Sequence, residues 1–217
     1  MENQKKTITI LVFAMLFIIV FTLAFYYYGQ SKLTYTYKGK DGDYLFHIVS
    51  KGGVTSQVIR VFVNNKDEYY YPLRYGPQEV ASLQSDENLK ETLLGKSGNF
   101  KKTLYITQDP DLANQTDSQS ILSVVEINRV TGTADYGVFK IPTLTAITRE
   151  TERSKELALP FVTCANVTSS VGVLWLKLGD ANRVYSDQGC VIIEAKNGED
   201  ILKLSDRFVY TLLGVFS

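Results

Sequence analysis

Histidine and cysteine side chains give this sequence little scope for metal or nucleophilic chemistry. His47 is the only histidine among 217 residues, and it lies in the alternating apolar run DYLFHIVS, which predicts a strand and a structural role. A Ser-His-Asp triad would have to recruit His47, and the sequence contains no G-x-S-x-G elbow, G-x-G-x-x-G loop or P-loop. One histidine with two cysteines cannot complete a usual zinc site. We therefore assign no catalytic residue and expect no cofactor.

Acidic side chains cluster after one predicted strand, where they could bind a cation or serve catalysis. Asp109, Asp111 and Asp117 form this cluster. Carboxylates in such a loop can bind Ca²⁺ or can simply be solvated, and because their spacing fits no EF-hand we expect no metal. Two-carboxylate glycosidase chemistry could be drawn with Glu126 or Glu194, but no spacing in the sequence supports it.

One arginine lies among tyrosines in the segment EYYYPLRYGP. The candidate binding patch comprises Tyr69, Tyr70, Tyr71, Arg74 and Tyr75. A guanidinium over aromatic faces makes cation–π contacts, so the patch could bind a peptide, a glycan or another subunit. Alternatively, the arginine packs its stem on the tyrosines and pairs with an acidic neighbour.

Two cysteines and two glycosylation triplets bear on the compartment in which the chain folds. Cys164 and Cys190 are an even pair, which predicts a disulfide if the domain is exported. The alternative is two buried thiols in a cytosolic domain. Asn114 and Asn166 each begin an N-x-T triplet and are possible glycosylation sites of an exported protein.

The N-terminal segment predicts a membrane anchor. No charged residue occurs between Lys6 and Lys32, and the dense apolar part Ile8–Tyr28 would span about 31 Å as a helix, close to the thickness of a bilayer core. We predict a cytoplasmic tail over 1–6 and a transmembrane helix over 7–29. A cleaved export signal is the alternative, but its apolar region is usually shorter. The flanking charges are ambiguous, and the cysteines and sequons favour a cytoplasmic N-terminus.

The remaining chain, 30–217, predicts one exported domain with a possible sub-boundary near 149–158. The whole sequence has 23 basic and 23 acidic residues, a balance that does not suggest the basic face of a nucleic-acid-binding protein, so we expect no nucleic-acid partner. The partners we expect are the lipid bilayer and other membrane or surface proteins.

Alternating apolar residues and turn signals divide this domain into strands and helices. Strands are predicted on either side of Asp41-Gly42 and at 57–64, 103–107, 171–178, 183–185 and 190–195. A short helix is predicted over 78–83, and longer ones begin near Asp117 and Asn197 and end at Gly132 and Gly214. We therefore predict an α+β fold, in which one transmembrane helix precedes a mainly antiparallel sheet with two or three helices packed on it.

The two longer helices each show an apolar side that should face the core. The first side comprises Ile121, Val124, Val125, Ile127 and Val130. The second comprises Ile201, Leu204, Phe208 and Leu212, widened by Val209 and Leu213.

Three tracts, YPLRYGPQEV, TCANVT and GCVIIEAKNGEDILKLSDRFVYTLLG, together with the anchor resemble uncharacterised single-pass membrane proteins of small-genome archaea. The resemblance covers most of the exported part. The asparagine and threonine that follow the first cysteine in this group correspond to Asn166 and Thr168 here. The intervening residue is valine here where the group has alanine. The resemblance implies an exported, disulfide-bonded domain at the cell surface and implies no activity.

Together these features predict a membrane-anchored, extracytoplasmic binding or structural protein that is a subunit of a cell-envelope or surface assembly rather than an enzyme. The alternative is an envelope hydrolase, or an inactive relative of one, that uses the carboxylates at the rim of the sheet near Asp109 and Asp111.

Overall fold

The computed structural model describes residues 13–24, 33–63 and 67–217. The strands are β1 Thr34–Lys38, β2 Asp43–Lys51, β3 Val54–Val63, β4 Asp67–Leu73, β5 Gln84–Ser85, β6 Gly95–Lys96, β7 Asn99–Phe100, β8 Thr103–Gln108, β9 Thr143–Ile147, β10 Val171–Leu178, β11 Arg183–Asp187 and β12 Cys190–Ala195. The helices are α1 over 13–24, α2 Pro77–Val80, α3 Leu89–Leu94, α4 Leu112–Gln115, α5 Gln119–Thr131, α6 Glu152–Glu156 and α7 Gly198–Leu212, with a 3₁₀ turn at Cys164–Asn166.

The first sheet is an antiparallel meander in the order β1-β2-β3-β4. Its connections confirm the hairpin predicted at Asp41-Gly42, and a second turn at Gly52-Gly53 joins β2 to β3. Both glycines of the second turn have positive φ, 60° and 77°, which glycine adopts without steric cost. Phe46, Ile59 and Tyr71 pair across neighbouring strands and are buried. One face of this sheet therefore lies in the core, and the alternate residues lie on its outer face.

The second sheet runs in the order β5-β11-β12-β10-β8-β9, and its central strands are parallel. The prediction of one mainly antiparallel sheet is therefore wrong for this half, although a mixed α and β fold is confirmed. The physical reason is the crossover from β8 through α5 to β9, which leaves the two strands parallel. Strand β12, CVIIEA, is buried at every position, which is typical of a strand covered on both faces.

Helix α7 lies between the two sheets. The ring of Tyr210 packs on Phe46 of the first sheet at a centroid distance of 5.8 Å, and the helix also contacts β12 of the second. Its predicted N-cap is confirmed, because Asn197 Oδ1 accepts a hydrogen bond from the backbone N–H of Asp200 at 2.9 Å. The predicted apolar side is buried as well, and burial continues at every position from 204 to 215.

Helix α5 packs on α7, and only part of its predicted apolar side is buried. Ile127 and Val130 are buried as expected, whereas Ile121 and Val125 are 47% and 44% exposed. The buried side of α5 instead includes Glu126 and two small residues, Ser120 and Ser123. Small side chains allow two helices to approach closely, so this interface does not follow the hydrophobic pattern alone.

The opposite face of the second sheet is covered by the segment 160–168. The disulfide Cys164–Cys190 is confirmed, with Cα atoms 5.2 Å apart, and it ties this segment to β12. Val162 of the segment packs with Ile192 in a second, smaller apolar cluster beneath it. The possible sub-boundary near 149–158 stays a prediction.

The predicted transmembrane segment 7–29 is only partly described. Its central residues, 13–24, form α1, and their side chains are exposed. The rest of that segment and the tail 1–6 lie outside the described residues. Within the described part of the chain, no helix is both long enough and apolar enough to cross a membrane.

Candidate functional site

A groove of about 410 Å³ opens at the carboxyl ends of the parallel strands β8 and β9. This edge of a parallel sheet is where α/β folds commonly bind ligands. The apolar part of its lining comprises Pro110, Ala113, Ile121, Ile147, Leu157 and Leu159. Ile121 and Leu157 are 47% and 59% exposed, so two large apolar side chains meet solvent at one opening. We call this feature the carboxyl-edge groove.

Polar groups complete the lining of the carboxyl-edge groove. Gln108 lies at the end of β8, and its Oε1 is buried without a hydrogen-bond partner among the described residues. Ser154 Oγ is already engaged, because it donates to the carbonyl of Thr151 at 2.8 Å. The groove can therefore surround an apolar group while Gln108 accepts a hydrogen bond from a ligand N–H or O–H.

The predicted rim carboxylates lie beside this groove and share one arginine. Arg149 Nε donates to Asp109 at 3.2 Å, and its Nη2 donates to Asp111, which also lines the groove. These hydrogen bonds raise the pKa of Arg149 above its usual value. Asp117 is exposed in the turn between α4 and α5. No group of three or more His, Cys, Asp or Glu within the described ranges is arranged to hold a metal ion.

The predicted tyrosine patch is divided between the two faces of β4. Tyr69 and Tyr71 point inward, and their hydroxyls donate to main-chain carbonyls at 135–136. Tyr70 points outward, where its hydroxyl donates to Glu68 at 2.8 Å. The five residues predicted as one patch therefore do not form one continuous surface, because alternate residues of a strand face opposite ways.

The remaining two members of that patch bind a buried carboxyl group through their backbone. The N–H groups of Arg74 and Tyr75 both donate to Asp206 Oδ2, at 2.9 and 2.8 Å. Asp206 belongs to α7 and is fully buried. Since Arg74 and Tyr75 follow β4, this contact fastens the end of the first sheet to the helix between the sheets.

A second carboxyl group, Glu126 of α5, lies beside Asp206 of α7. Glu126 is 4% exposed, and neither its Oε2 nor Asp206 Oδ1 has a donor among the described residues. Two carboxyl groups can hydrogen bond to each other only if one of them is protonated. A proton retained by either group would let the two carboxyl groups share a hydrogen bond at the contact between α5 and α7.

Burial raises the pKa of both members of this pair. The pKa of Glu126 rises to about 6 because burial disfavours its charge, while its hydrogen bond to Asp206 and the charges of Arg74 and Arg129 oppose the rise. The pKa of Asp206 lies well above its usual value because of burial and the neighbouring Glu126. The two backbone N–H donors favour its ionised form but do not outweigh these effects.

Sequence reasoning missed this pair. Glu126 lies on a helix face that the apolar pattern assigned to solvent, and the partner Asp206 is 80 residues away in the chain. One signal was available: Asp206 follows Ser205 between Leu204 and Phe208, both in the predicted core of α7. A carboxylate beside a buried stripe must find a partner or hold a proton.

Glu194, the other carboxylate considered for glycosidase chemistry, lies on the opposite side of the second sheet from Glu126. Burial alone would raise its pKa, but hydrogen bonding by Arg183, at 2.9 and 3.2 Å, and the charge of Lys177 lower it below the usual value. Because α5 packs on the opposite face, Glu126 and Glu194 cannot flank one bond of a substrate.

The two sequon asparagines occupy different surroundings. Asn166 Oδ1 accepts a hydrogen bond from the backbone N–H of Thr163 at 2.8 Å beside the disulfide, and Asn166 is exposed. Asn114 is exposed on α4 and lines the carboxyl-edge groove. A glycan on Asn114 would therefore compete with any ligand of that groove.

Three comparisons with known proteins bear on these features. A scan against protein-family models, a search of curated proteins and a search of solved structures each found no match to this chain.

Proposed function

We propose that this chain is a membrane-anchored, extracytoplasmic binding protein that takes part in a cell-envelope or surface assembly. Its binding site is the carboxyl-edge groove, and its ligand presents an apolar group beside a hydrogen-bond donor. The observation that carries the proposal is the exposure of Ile121 and Leu157 at one opening, next to the buried, unpartnered Oε1 of Gln108.

The energetic case for binding rests on the two exposed apolar side chains. Burying a large aliphatic side chain completely contributes about 1.5–3 kcal/mol. Ile121 and Leu157 each retain about half of their surface for a ligand to cover. A donor that reaches Gln108 Oε1 adds a hydrogen bond in surroundings from which water is largely excluded.

Two observations support a domain that is anchored in the membrane and lies outside the cytoplasm. The apolar segment predicted over 7–29 has the length of a membrane anchor, with the tail 1–6 in the cytoplasm. The disulfide Cys164–Cys190 fits an oxidising compartment outside the membrane. The resemblance to archaeal single-pass membrane proteins agrees with this location.

Site-specific photo-crosslinking in intact cells tests the groove. A photoreactive phenylalanine analogue is placed at Ile121 or Leu157, and at Leu144 as a matched control, because Leu144 is similarly exposed on the edge strand β9. We expect the same adduct from positions 121 and 157, its absence from position 144, and its loss when Gln108→Ala is added. Equal adducts from all three positions would refute the groove as the binding site.

The hydrolase alternative keeps one supporting observation, since Asp111 lines the carboxyl-edge groove. The combined substitution Asp109→Asn and Asp111→Asn removes both carboxylates and leaves the groove's apolar lining intact. Binding without catalysis predicts that the crosslinks at positions 121 and 157 persist in this variant. A hydrolytic activity of the wild-type chain that this variant lacks, with its fold retained, would favour the enzyme.

A further inference from the structure

One hairpin of the first sheet projects beyond its neighbours. Strands β2 and β3 remain paired as far as Lys51 and Val54, whereas the last pair between β3 and β4 joins Gln57 to Leu73. On the other side, the pairing of β1 with β2 begins at Thr34 and His47. Residues 48–56 therefore form a two-stranded ribbon without a flanking strand among the described residues. We call it the projecting hairpin.

The projecting hairpin carries exposed apolar side chains. Val49 and Val54 are 47% and 45% exposed, and they share one face of the ribbon with Lys51, because Lys51 pairs with Val54 and Val49 with Ser56. The only charge between 48 and 56 is that of Lys51. An isolated two-stranded hairpin is marginally stable in water, so exposed valines at its end indicate a surface that something covers.

The hairpin projects from the end of the sheet that continues into the predicted anchor. The carbonyl of Leu33 accepts a hydrogen bond from the N–H of Ile48 at 2.7 Å, so the chain enters the sheet beside the base of the hairpin. Leu33 is itself exposed. The sequence between α1 and this point, 25–32, is short and includes three tyrosines, which favour the membrane interface.

We propose that the projecting hairpin contacts the membrane surface, with Val49 and Val54 entering the interfacial region and Lys51 meeting anionic lipid headgroups. This inference rests on the proposed membrane anchoring. The short connection keeps the sheet end near the bilayer, and a cation among apolar side chains matches the headgroup boundary. The contact fixes the orientation of the domain, so that the opposite end of the sheet points away from the lipid.

Tryptophan quenching by brominated lipids tests the contact in the full chain. The chain is reconstituted into phosphatidylcholine–phosphatidylglycerol vesicles with bromine on the lipid acyl chains. Val54→Trp places the probe on the hairpin. Phe62→Trp is the matched control, because Phe62 is 54% exposed on the same strand but about 26 Å farther along it. The native Trp175 also emits, so its emission is measured in the unsubstituted chain and subtracted from that of each variant.

We expect bromine to quench the emission added by Val54→Trp and to leave that added by Phe62→Trp unchanged. Adding Lys51→Glu should reduce the quenching in anionic vesicles more than in phosphatidylcholine alone. Equal quenching of both probes, or of neither, overturns the proposal. So does a blue shift of the Val54→Trp emission that depends on protein density and not on bromine, because the occupant is then a second copy.

Flotation of the vesicles separates this inference from the proposed anchoring. If the unsubstituted chain floats with the vesicles and Val54→Trp is not quenched, the anchor stands and the hairpin contact is refuted. If the chain does not float, the anchoring itself fails and the hairpin contact fails with it.

Discussion

Asp206 of α7 and Glu126 of α5 are buried side by side at the contact between the two helices. Asp206 also accepts the backbone N–H groups of Arg74 and Tyr75, so the same side chain joins the end of the first sheet to the helical layer. The Asp206 carboxyl group is thus part of what holds the first sheet to the helical layer. Its titration should be visible in the stability of the whole domain.

Replacing Asp206 by Asn should reduce the pH dependence of stability. The folded-state pKa of Glu126 is about 6, above its ordinary value of 4.5, and that of Asp206 is also raised. The folded protein therefore binds more protons than the unfolded chain in this window, and the free energy of unfolding falls as pH rises through it. An asparagine amide can donate to Glu126 without titrating, and its oxygen can still accept the two backbone N–H groups.

Denaturant unfolding at about pH 5 and about pH 8 measures this effect. We expect wild type to lose more of its free energy of unfolding than Asp206→Asn between these values, because the variant lacks the carboxyl group whose pKa folding raises. Asp187→Asn, which alters an exposed carboxylate of β11, is the control and should track wild type. Parallel pH profiles for wild type and Asp206→Asn would show that the pair does not retain its proton.

Removing the disulfide should destabilise the domain substantially. The bridge closes a loop of 26 residues, for which the chain-entropy model gives about 3.5 kcal/mol. Unfolding of wild type should therefore shift to lower denaturant when reductant is added. The double variant Cys164→Ala, Cys190→Ala should resemble reduced wild type and should not respond to reductant. A wild-type curve unaffected by complete reduction would contradict the expectation.

Tyr71 and Tyr70 should respond very differently to loss of the hydroxyl group. Tyr71 is buried, its hydroxyl donates to the carbonyl of Tyr136, and burial raises its pKa to about 12. Tyr71→Phe leaves that carbonyl without its donor, and we expect a loss of about 1 kcal/mol in the free energy of unfolding. Tyr70→Phe alters an exposed side chain and should change stability little. Equal losses of stability from the two substitutions would contradict the placement of Tyr71 on the buried face of β4 and Tyr70 on its exposed face.

Gly172 should not tolerate a side chain. It lies within β10, where an added Cβ would collide with the main-chain oxygen of Leu93 and approach Leu104 Cδ2 to 2.6 Å. Gly172→Ala should destabilise the domain by about 1–3 kcal/mol, because the backbone of α3 must move. Thr145→Ala on the exposed edge strand is a matched control for the change in strand composition. Tolerance of alanine at position 172 would mean that α3 does not pack this closely on the sheet.

Local patterns predicted most of the long elements correctly. Alternation and glycine turns located β1–β3, and polar turns located β10–β12, because these signals depend on neighbours in sequence. The cap at Asn197 and the core side of α7 were also read from local residues. His47 occupies a strand face, as predicted, and its ring lies 6.1 Å from that of Tyr70.

Pairing between distant segments could not be predicted in the same way. Strand direction in the second sheet depends on a crossover, and alternation carries no information about whether the next strand is parallel. Part of the apolar side of α5 was misassigned for a related reason. Its position is set by close approach to α7 and by the contact of Glu126 with Asp206, which the apolar periodicity of α5 alone does not contain. The carboxyl-edge groove likewise exists only once β8, β9 and α5 are assembled.

Labelling of lysines in intact cells with an amine-reactive reagent that cannot cross membranes tests the proposed topology most directly. Lys96, Lys102 and Lys196 are exposed in the folded domain, whereas Lys5 and Lys6 belong to the predicted cytoplasmic tail. We predict that mass spectrometry finds the first three labelled in intact cells, and Lys5 and Lys6 labelled only after lysis. Labelling of Lys5 and Lys6 in intact cells, or protection of the domain lysines until lysis, would contradict a membrane-anchored domain outside the cell.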